Sequence, residues 1–186
     1  STRQEIDGYR DGVDFDENDK FALDGQRLLL KTGTYWSNGS TYETEVQSNT
    51  KIELIGSGIN IYFIVTAPDG SRSWYGNYGG VNATDLNSYY ITKYEDINGN
   101  FMTYHYIRPN NKHIYISEIR FSANVTTNIT PLNNIIFSYN TLARKENGYL
   151  KGFKIEKENI LDKVEVFTNS LLFKKYQLTH IADAYG

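Results

Sequence analysis

Acidic side chains are the residues of this sequence whose spacing comes closest to a known chemistry. Asp14, Asp16 and Asn18 occupy alternate positions, as the first ligands of an EF-hand calcium loop do. Asp19 stands where that loop needs glycine, and Gly25 stands where it needs a bidentate glutamate, so an EF-hand is excluded. A looser calcium site and a plain solvated turn both stay open for the four aspartates of this stretch, Asp11, Asp14, Asp16 and Asp19.

Two pairs of glutamates have the E-x-E spacing of ADP-ribosyltransferases: Glu43 with Glu45, and Glu156 with Glu158. The Ser-Thr-Ser strand that those enzymes also require is absent from the sequence. Residues two apart on a strand lie on the same side of it, and charged pairs of this kind are typical of a solvated face. We therefore assign no catalytic residue and expect the chain not to be an enzyme.

Histidine, serine and cysteine add no further candidate. His105, His113 and His180 are widely spaced and form no metal-binding motif, so we expect a surface or cross-strand role for each. No G-x-S-x-G motif occurs, and residues 56–58 (GSG) lack the Lys-Ser/Thr ending of a phosphate-binding loop. Cysteine is absent, which removes disulfides, thiolate nucleophiles and thiolate metal ligands. No metal, cofactor or cofactor-binding residue is assigned.

Aromatic residues make up 15% of the chain, which favours half-buried strands over helices. A formal net charge of -3 and a pI near 5.6 argue against nucleic acid as a partner. One aromatic cluster could stack on sugar rings or on a partner, although packing across strands is the interpretation we favour. Its members are Trp74, Tyr75, Tyr78, Tyr89 and Tyr90.

Turn signals between β-favouring runs indicate the fold class. Asp24-Gly25, Asp69-Gly70 and Asn98-Gly99 each separate two such runs. Asn98-Gly99 predicts a two-residue type I′ turn, which needs positive φ at both of its residues. The sequence therefore predicts an all-β protein of antiparallel hairpins that form a curved sheet, with little helix.

The residue pattern also gives expectations for three further segments. Residues 81–88 fit a helical turn or a loop, and the pattern does not decide between them. Residues 150–162 could contain a short helix, but the alternation of their charged and apolar side chains favours an edge strand. Residues 114–121 carry apolar side chains on both faces, which predicts a strand covered on both sides.

Domain organisation follows from length and from the two ends of the sequence. At 186 residues, the chain is expected to be a single β-rich segment, residues 1–186, that continues at both ends in a larger parent protein. It begins without methionine or a signal-peptide core, and it holds no run long enough for a membrane helix. The four N-x-S/T sequons would matter only in a eukaryotic secretory host, and they begin at Asn38, Asn82, Asn124 and Asn128.

An ordered set of motifs resembles the virulence-plasmid B (SpvB) amino-terminal family. Residues 11–28 (DGVDFDENDKFALDGQRL) are similar to its D-R-F-x-L-D-G-x-R-L segment, with Lys20 in place of the usual arginine. Residues 63–71 (FIVTAPDGS) resemble its strand and Asp-Gly turn, and residues 91–106 (ITKYEDINGNFMTYHY) resemble its hairpin D-x-x-G-N-x-I-x-Y-x-Y. The strand before that hairpin lacks the tryptophan often found there.

This resemblance implies a function. The family occurs at the amino-terminal side of bacterial toxin-complex B components and of related proteins with Rhs or tyrosine-aspartate repeats, whose strands wind into a hollow shell around a toxic polypeptide. It implies a secreted virulence protein, cytoplasmic before export, whose partners are the rest of its own chain, the enclosed cargo and other toxin-complex subunits. ADP-ribosylation and similar activities reside in separate carboxy-terminal domains of such proteins. The alternative is an independent β-sandwich that binds carbohydrate or a surface receptor through the loop 74–80.

Overall fold

The computed structural model describes residues 8–9, 12–16 and 18–181, and it is almost entirely β-structure, as the sequence predicts. The strands are β1 (Ala22–Leu23), β2 (Gln26–Thr32), β3 (Thr41–Thr44), β4 (Lys51–Ile55), β5 (Tyr62–Thr66), β6 (Arg72–Gly76), β7 (Thr84–Asp85), β8 (Ser88–Tyr89), β9 (Ile91–Glu95), β10 (Asn100–Ile107), β11 (Tyr115–Asn124), β12 (Asn133–Leu150), β13 (Phe153–Thr168) and β14 (Leu171–Gln177). Short 3-10 turns cover Gly58–Asn60, Tyr78–Gly80 and Pro109–Asn111.

Twelve of the described strands form one antiparallel sheet, in the order β1-β2-β3-β4-β5-β6-β9-β10-β11-β12-β13-β14. Strands β7 and β8 form a separate two-stranded hairpin between β6 and β9. Every neighbour in the large sheet is thus the preceding strand of that sheet along the chain. The expected series of antiparallel hairpins is confirmed.

Two of the hairpin turns differ in geometry. Asp24 and Gly25 have φ of 49° and 78° between the paired residues of β1 and β2, which is the positive-φ pair of a type I′ turn. The type I′ prediction for Asn98-Gly99 is wrong, because only Gly99 has positive φ, at 80°, and the loop spans residues 96–99. Asp96 causes the difference, since its Oδ1 accepts hydrogen bonds from the backbone N–H groups of Asn98 and Asn100.

The segments that sequence left undecided are also resolved. Residues 81–88 form a loop that ends in the β7–β8 hairpin. Residues 153–162 belong to β13, which confirms the strand interpretation over the helix. Strand β11 is mostly half-buried instead of covered on both sides, because the elements that would cover it are missing among the described residues.

The hydrophobic core lies over the first half of the sheet. It consists of buried side chains from β2 to β5 and the preceding loop, Phe21, Leu28, Tyr42, Ile52, Leu54 and Phe63. Tyr35 fastens this loop to the sheet, because its hydroxyl accepts a hydrogen bond from the Phe21 N–H and donates one to the Leu28 carbonyl. Trp36 adds a second anchor through a hydrogen bond from Nε1 to the Asp19 carbonyl.

The long β12–β13 hairpin bends back toward the start of the chain. Its tip lies beyond the part that pairs with β11, which ends at Ile136 on β12. The Lys151 ammonium lies 3.4 Å from the Asp14 carboxylate, and the Phe153 ring lies 5.6 Å from the Phe15 ring. These contacts join one of the last strands to the loop before the first strand, so the sheet is curved.

Candidate functional site: one face and one edge of the sheet

The sheet has two chemically different faces. Residues paired directly across antiparallel strands point to the same face, so each row of pairs defines a side. The apolar face carries Phe63, Val65, Tyr75, Tyr94, Met102, Tyr104, Ile119, Ile135, Val164 and Val166. The charged face carries Arg72, Trp74, Lys93, Glu95, Thr103, His105, Glu118, Arg120, Asn134 and Glu165, together with the apolar side chains of Ile64, Phe101 and Ile136.

The first half of the apolar face is covered by the loop before β1 and by β8. Phe63 packs against Phe21 with ring centroids 4.8 Å apart, and against Tyr89 at 5.0 Å. A half-open cavity of about 1310 Å³ remains between the sheet and this cover, with Tyr75 and Trp36 among its walls. The covered half therefore supplies the closed core of the protein.

The second half of the apolar face has no such cover within the described residues. From β9 to β13, the large side chains of this face are half-buried, namely Tyr94, Met102, Tyr104, Ile119, Ile135, Val164 and Val166. A continuous strip of large apolar and aromatic side chains is thus left in partial contact with solvent. Strips of this kind mark surfaces that contact other protein segments or ligands.

The loop 74–80 does not form the sugar-binding platform of the alternative hypothesis. Trp74 is only 5% exposed and belongs to the charged face, where it stacks on Tyr78 at 5.4 Å. The Lys93 ammonium lies 4.8 Å from the centroid of the Trp74 ring. Tyr75 points to the opposite face, into the cavity under the loop before β1. The rings of this cluster therefore pack across strands, as the favoured interpretation expects.

Glu95 holds an ion-pair cluster on the charged face. Its Oε1 lies 2.5 Å from Arg72 Nη2, and its Oε2 lies 2.6 Å from Lys93 Nζ. Burial opposes the ionisation of Glu95, but the hydrogen bonds from Lys93 and Arg72 outweigh that effect and lower its pKa. The carboxylate is thus fully engaged in binding β6 to β9.

The E-x-E pair of β13 is also engaged in structure. Lys112 forms ion pairs with both Glu156 and Glu158, Lys145 pairs with Glu158, and Lys154 pairs with Glu156. The hydrogen bonds from Lys112 and Lys145 lower the pKa of Glu158 to about 2. Lys112 joins the turn before β11 to the long hairpin, and Lys145 and Lys154 are part of that hairpin, so the geometry of the pair is that of a structural cluster.

The other E-x-E pair lies on β3 and in the turn that follows it. Glu43 forms an exposed ion pair with Lys31, at 3.5 Å, and Glu45 is exposed. The solvated strand face expected for this pair agrees with the structure.

The aspartates of the first turn converge, in the part of it that the structure describes. Carboxylate oxygens of Asp14, Asp16 and Asp19 all lie within 4.8 Å of one another, while Asp11 lies outside the described residues. Asp19 Oδ2 already accepts hydrogen bonds from the backbone N–H groups of Asp14 and Phe15, at 3.0 and 2.6 Å. Asp16 accepts two from Asn18. An oxygen cluster suits Ca²⁺, but these bonds are those of a self-capped turn.

Each of the three histidines contacts a different polar group. His105 Nε2 lies 3.2 Å from the Thr103 hydroxyl, His113 Nδ1 lies 3.5 Å from Asp85 Oδ2, and His180 Nε2 lies 2.7 Å from the Leu161 carbonyl. Burial lowers the pKa of both His105 and His113, which favours the neutral imidazole. Among the described residues, no histidine joins a group of three possible metal ligands.

Among the residues that the structure describes, β14 forms one of the two edges of the sheet, and the turn signals in the sequence do not single it out. All seven residues of β14 are exposed, and its partner on one side is β13. Its apolar side chains project into solvent, Leu171 at 74%, Leu172 at 53%, Phe173 at 75% and Tyr176 at 55% exposure. The adjacent lysines within this apolar run, at 174 and 175, were the available signal of an edge strand.

No helix in the described part of the chain is both long and apolar enough to span a membrane. No protein-family model matches the sequence, and no curated protein matches it either.

Solved structures nevertheless share this fold, which is that of β-rich modules found in bacterial toxins. The N-terminal domain of the effector protein SpvB from Salmonella typhimurium strain LT2 matches with a TM-score of 0.63 at 13% identity, over 78% of this chain and 68% of that one. The TcdB2-TccC3-Cdc42 structure matches with a TM-score of 0.62 at 12% identity, over 82% of this chain and 10% of that one.

A Photorhabdus luminescens Tc holotoxin pore matches with a TM-score of 0.55 at 12% identity, over 77% of this chain and 10% of that one. The chain therefore spans about a tenth of the toxin-complex chains that it resembles. The TM-scores of 0.55 to 0.63 show a shared fold, whereas identities of 12 to 13% do not show a shared function.

Proposed function

We propose that this chain is a non-enzymatic wall segment of a bacterial toxin-related β-shell, which encloses a toxic carboxy-terminal polypeptide. The observation that carries the proposal is the half-covered apolar face, together with the exposed edge strand that continues it. A free-standing module would be expected to cover so long a strip of apolar side chains. Similarity of fold to SpvB and to Tc toxin chains supports the toxin-related class.

The two faces suggest an orientation within the shell. The charged face carries ion pairs such as Glu118 with Arg120 and Lys163 with Glu165, which suit contact with water. The apolar face carries half-buried tyrosines and branched aliphatic side chains, which suit contact with an unfolded polypeptide. In this proposal the apolar face lines the interior and the charged face is the outer surface.

The partners in this proposal are the rest of the shell-forming chain, the enclosed cargo and other toxin-complex subunits. The protein acts outside the bacterium after export, and nothing in its wall role requires a cofactor. Rhs or tyrosine-aspartate repeats would lie elsewhere in the same parent protein.

The first test is the coding sequence on both sides of this chain. An open reading frame that continues into tyrosine-aspartate repeats, followed by a compositionally distinct carboxy-terminal region, is the expected result. Stop codons immediately outside Ser1 and Gly186 would overturn the proposal, because a shell cannot be closed by this sheet alone.

The second test measures access to each face in the shell-forming protein. This segment lacks cysteine, so two substitutions each add one reporter to it: Ser73→Cys, opposite Tyr94 at the border of the uncovered half of the apolar face, and Ser138→Cys, beside Lys163 on the charged face. Both serines are half-buried, which makes them matched controls. In the isolated chain, both should react with a maleimide on a long polyethylene glycol chain.

In the assembled shell, the Ser138→Cys reporter should still react with this bulky maleimide, whereas the Ser73→Cys reporter should react only with a small one. Equal reaction of both reporters in the assembled protein would overturn the enclosing role. Disruption of the shell by denaturant should restore the reaction at position 73.

A further inference from the structure

The free edge at β14 differs from the opposite edge of the sheet. β1 at the other end has two residues, which leaves few backbone groups for a further strand. β14 has seven residues, pairs with β13 on one side, and exposes four large apolar side chains. Edges that proteins protect from further pairing are short, covered or polar, and the apolar side chains of β14 do not fit that description.

Two lysines in the middle of β14 select against one class of partner, a second copy of the same strand. An antiparallel pairing that uses all seven residues places Lys174 opposite Lys174 of the other copy. Lys175 then lies one position away from the same charges. Like charges directly opposite each other destabilise a strand pair, so β14 is a poor partner for itself.

The known partner of β14 shows which side chains suit it. On β13, Glu165 lies opposite Lys175, and Val164 lies opposite Tyr176. Glu165 also pairs with Lys163, at 2.7 Å, so its charge is already shared. Neither Lys174 nor Lys175 forms an ion pair with a carboxylate in the part of the chain that the structure describes, and Lys174 instead lies 5.7 Å from the Tyr176 ring centroid.

We propose that the outer edge of β14 binds an extended polypeptide strand with two acidic residues at its centre and apolar residues on either side. The strand continues the sheet through main-chain hydrogen bonds, its carboxylates lie opposite Lys174 and Lys175, and its apolar side chains lie opposite Leu172 and Tyr176. This inference rests on the proposed function, because such a strand would be the next element of the wall.

The bulge in β14 is compatible with this pairing. The register shifts between Val166 and Phe167 of β13, where Phe173 is the extra residue of β14. A bulge bends the strand and increases its twist locally, but it leaves the pairing of the residues on both sides intact. The lysine half of the strand, 174–177, keeps a regular register with β13.

The test uses the 186-residue chain and two synthetic peptides as long as β14. The first, acetyl-Thr-Val-Glu-Glu-Thr-Val-Thr-amide, places its glutamates opposite the two lysines in the antiparallel register. The second replaces both glutamates with lysine and is otherwise identical. Binding is measured by fluorescence anisotropy of labelled peptide, and its place by hydrogen exchange of the β14 amides.

The acidic peptide should bind about tenfold or more tightly than the lysine peptide, because two cross-strand pairs change from attraction to repulsion. It should slow hydrogen exchange in β14 and leave exchange in β1 unchanged. In the Lys174→Gln/Lys175→Gln variant, which places no like charge opposite Glu165, the preference should disappear. Both substitutions are at exposed positions, so the circular dichroism spectrum should stay that of the parent.

Equal affinity for the two peptides, binding of neither, or protection elsewhere on the sheet would overturn this inference. None of these results touches the proposed function, which is tested separately by access of the maleimide to the two faces of the assembled shell. Conversely, acidic selectivity at β14 together with an open apolar face in the assembled protein would overturn the enclosing role and leave the edge site standing.

Discussion

Gly99 lies in the turn of the β9–β10 hairpin, next to a neighbouring loop. Replacing it with alanine should introduce both backbone strain, from the positive φ, and a steric clash with that loop. At φ of 80°, an added Cβ would lie 2.7 Å from Thr126 Oγ1 and 3.0 Å from Val125 Cγ2. Gly70 in the β5–β6 turn gives the matched control, because its φ is 88° and its Cβ would meet only Ile97 Cγ2, at 3.1 Å. Ile97 is 68% exposed and can move aside.

The expected magnitudes follow from these contacts. The left-handed conformation costs alanine about 1 to 2 kcal/mol, and the stiffer unfolded chain offsets about 0.4 to 1 kcal/mol of it, so Gly70→Ala should cost about 1 kcal/mol. The loop beside Gly99 cannot simply swing away, because the Val125 N–H donates to the Gly99 carbonyl at 2.8 Å and Asn124 Nδ2 donates to the Asn98 carbonyl at 3.1 Å. Losing one such bond adds about 1 kcal/mol, which brings Gly99→Ala to about 2 kcal/mol.

Urea unfolding of the two variants and the parent protein measures this difference. The midpoint should fall further in Gly99→Ala than in Gly70→Ala, with unchanged m-values, and the melting temperature should fall by about 2 to 4 °C per kcal/mol. Adding Thr126→Ala to Gly99→Ala should recover part of the loss, which a double-mutant cycle detects. Variants that agree within about 0.5 kcal/mol would refute the reasoning, because the neighbouring loop would then yield at no cost.

Three further predictions test the core, the ion-pair cluster and the acidic turn. Leu54→Ala should lower the unfolding free energy by about 2 to 5 kcal/mol in urea, because Leu54 is fully buried. The lysines that lower the pKa of Glu158 to about 2 in the folded state stabilise the protein at every pH above the unfolded-state pKa of this group, and that stabilisation is lost as the pH falls toward 2. Glu158→Gln should therefore flatten the dependence of the urea midpoint on pH between about 5 and 2. Asp19→Ala removes the acceptor of two backbone N–H groups and should lower the unfolding free energy by about 2 kcal/mol, both with and without calcium. If the variant melts at a lower temperature than the parent only when calcium is present, the turn binds the ion instead.

The sequence was sufficient to predict the hairpins, because their determinants are local. Asp24-Gly25 has the positive-φ pair that its residue types predict. At Asn98-Gly99 the hairpin was predicted correctly and its turn type was not, because the side chain of Asp96 accepts backbone hydrogen bonds from within the loop. The aspartate two residues before Asn98 was the signal for the longer loop, and the predicted two-residue turn left it out.

Contacts between distant segments could not be predicted in the same way. Lys112 lies more than forty positions before Glu156 and Glu158 in the sequence, and only the return of the long hairpin brings them together. The placement of Trp74 and Tyr75 on opposite faces follows from strand alternation. Which face is covered depends on where the loop before β1 packs, and that position is set by contacts of Phe21 and Trp36. Pairing order is thus the information that local pattern lacks.

The order of the strands links the open edge to the proposed role. Each strand of the large sheet pairs with the one before it in sequence, and β9 reaches β6 across only the short β7–β8 hairpin. Such pairing closes small loops, so each hairpin can form on the one already in place. In the proposed wall, the next strand would pair with β14, and further segments would cover the apolar strip from β9 to β13. The exposed edge strand and the half-buried strip lie in the same half of the sheet, which is the arrangement that this role predicts.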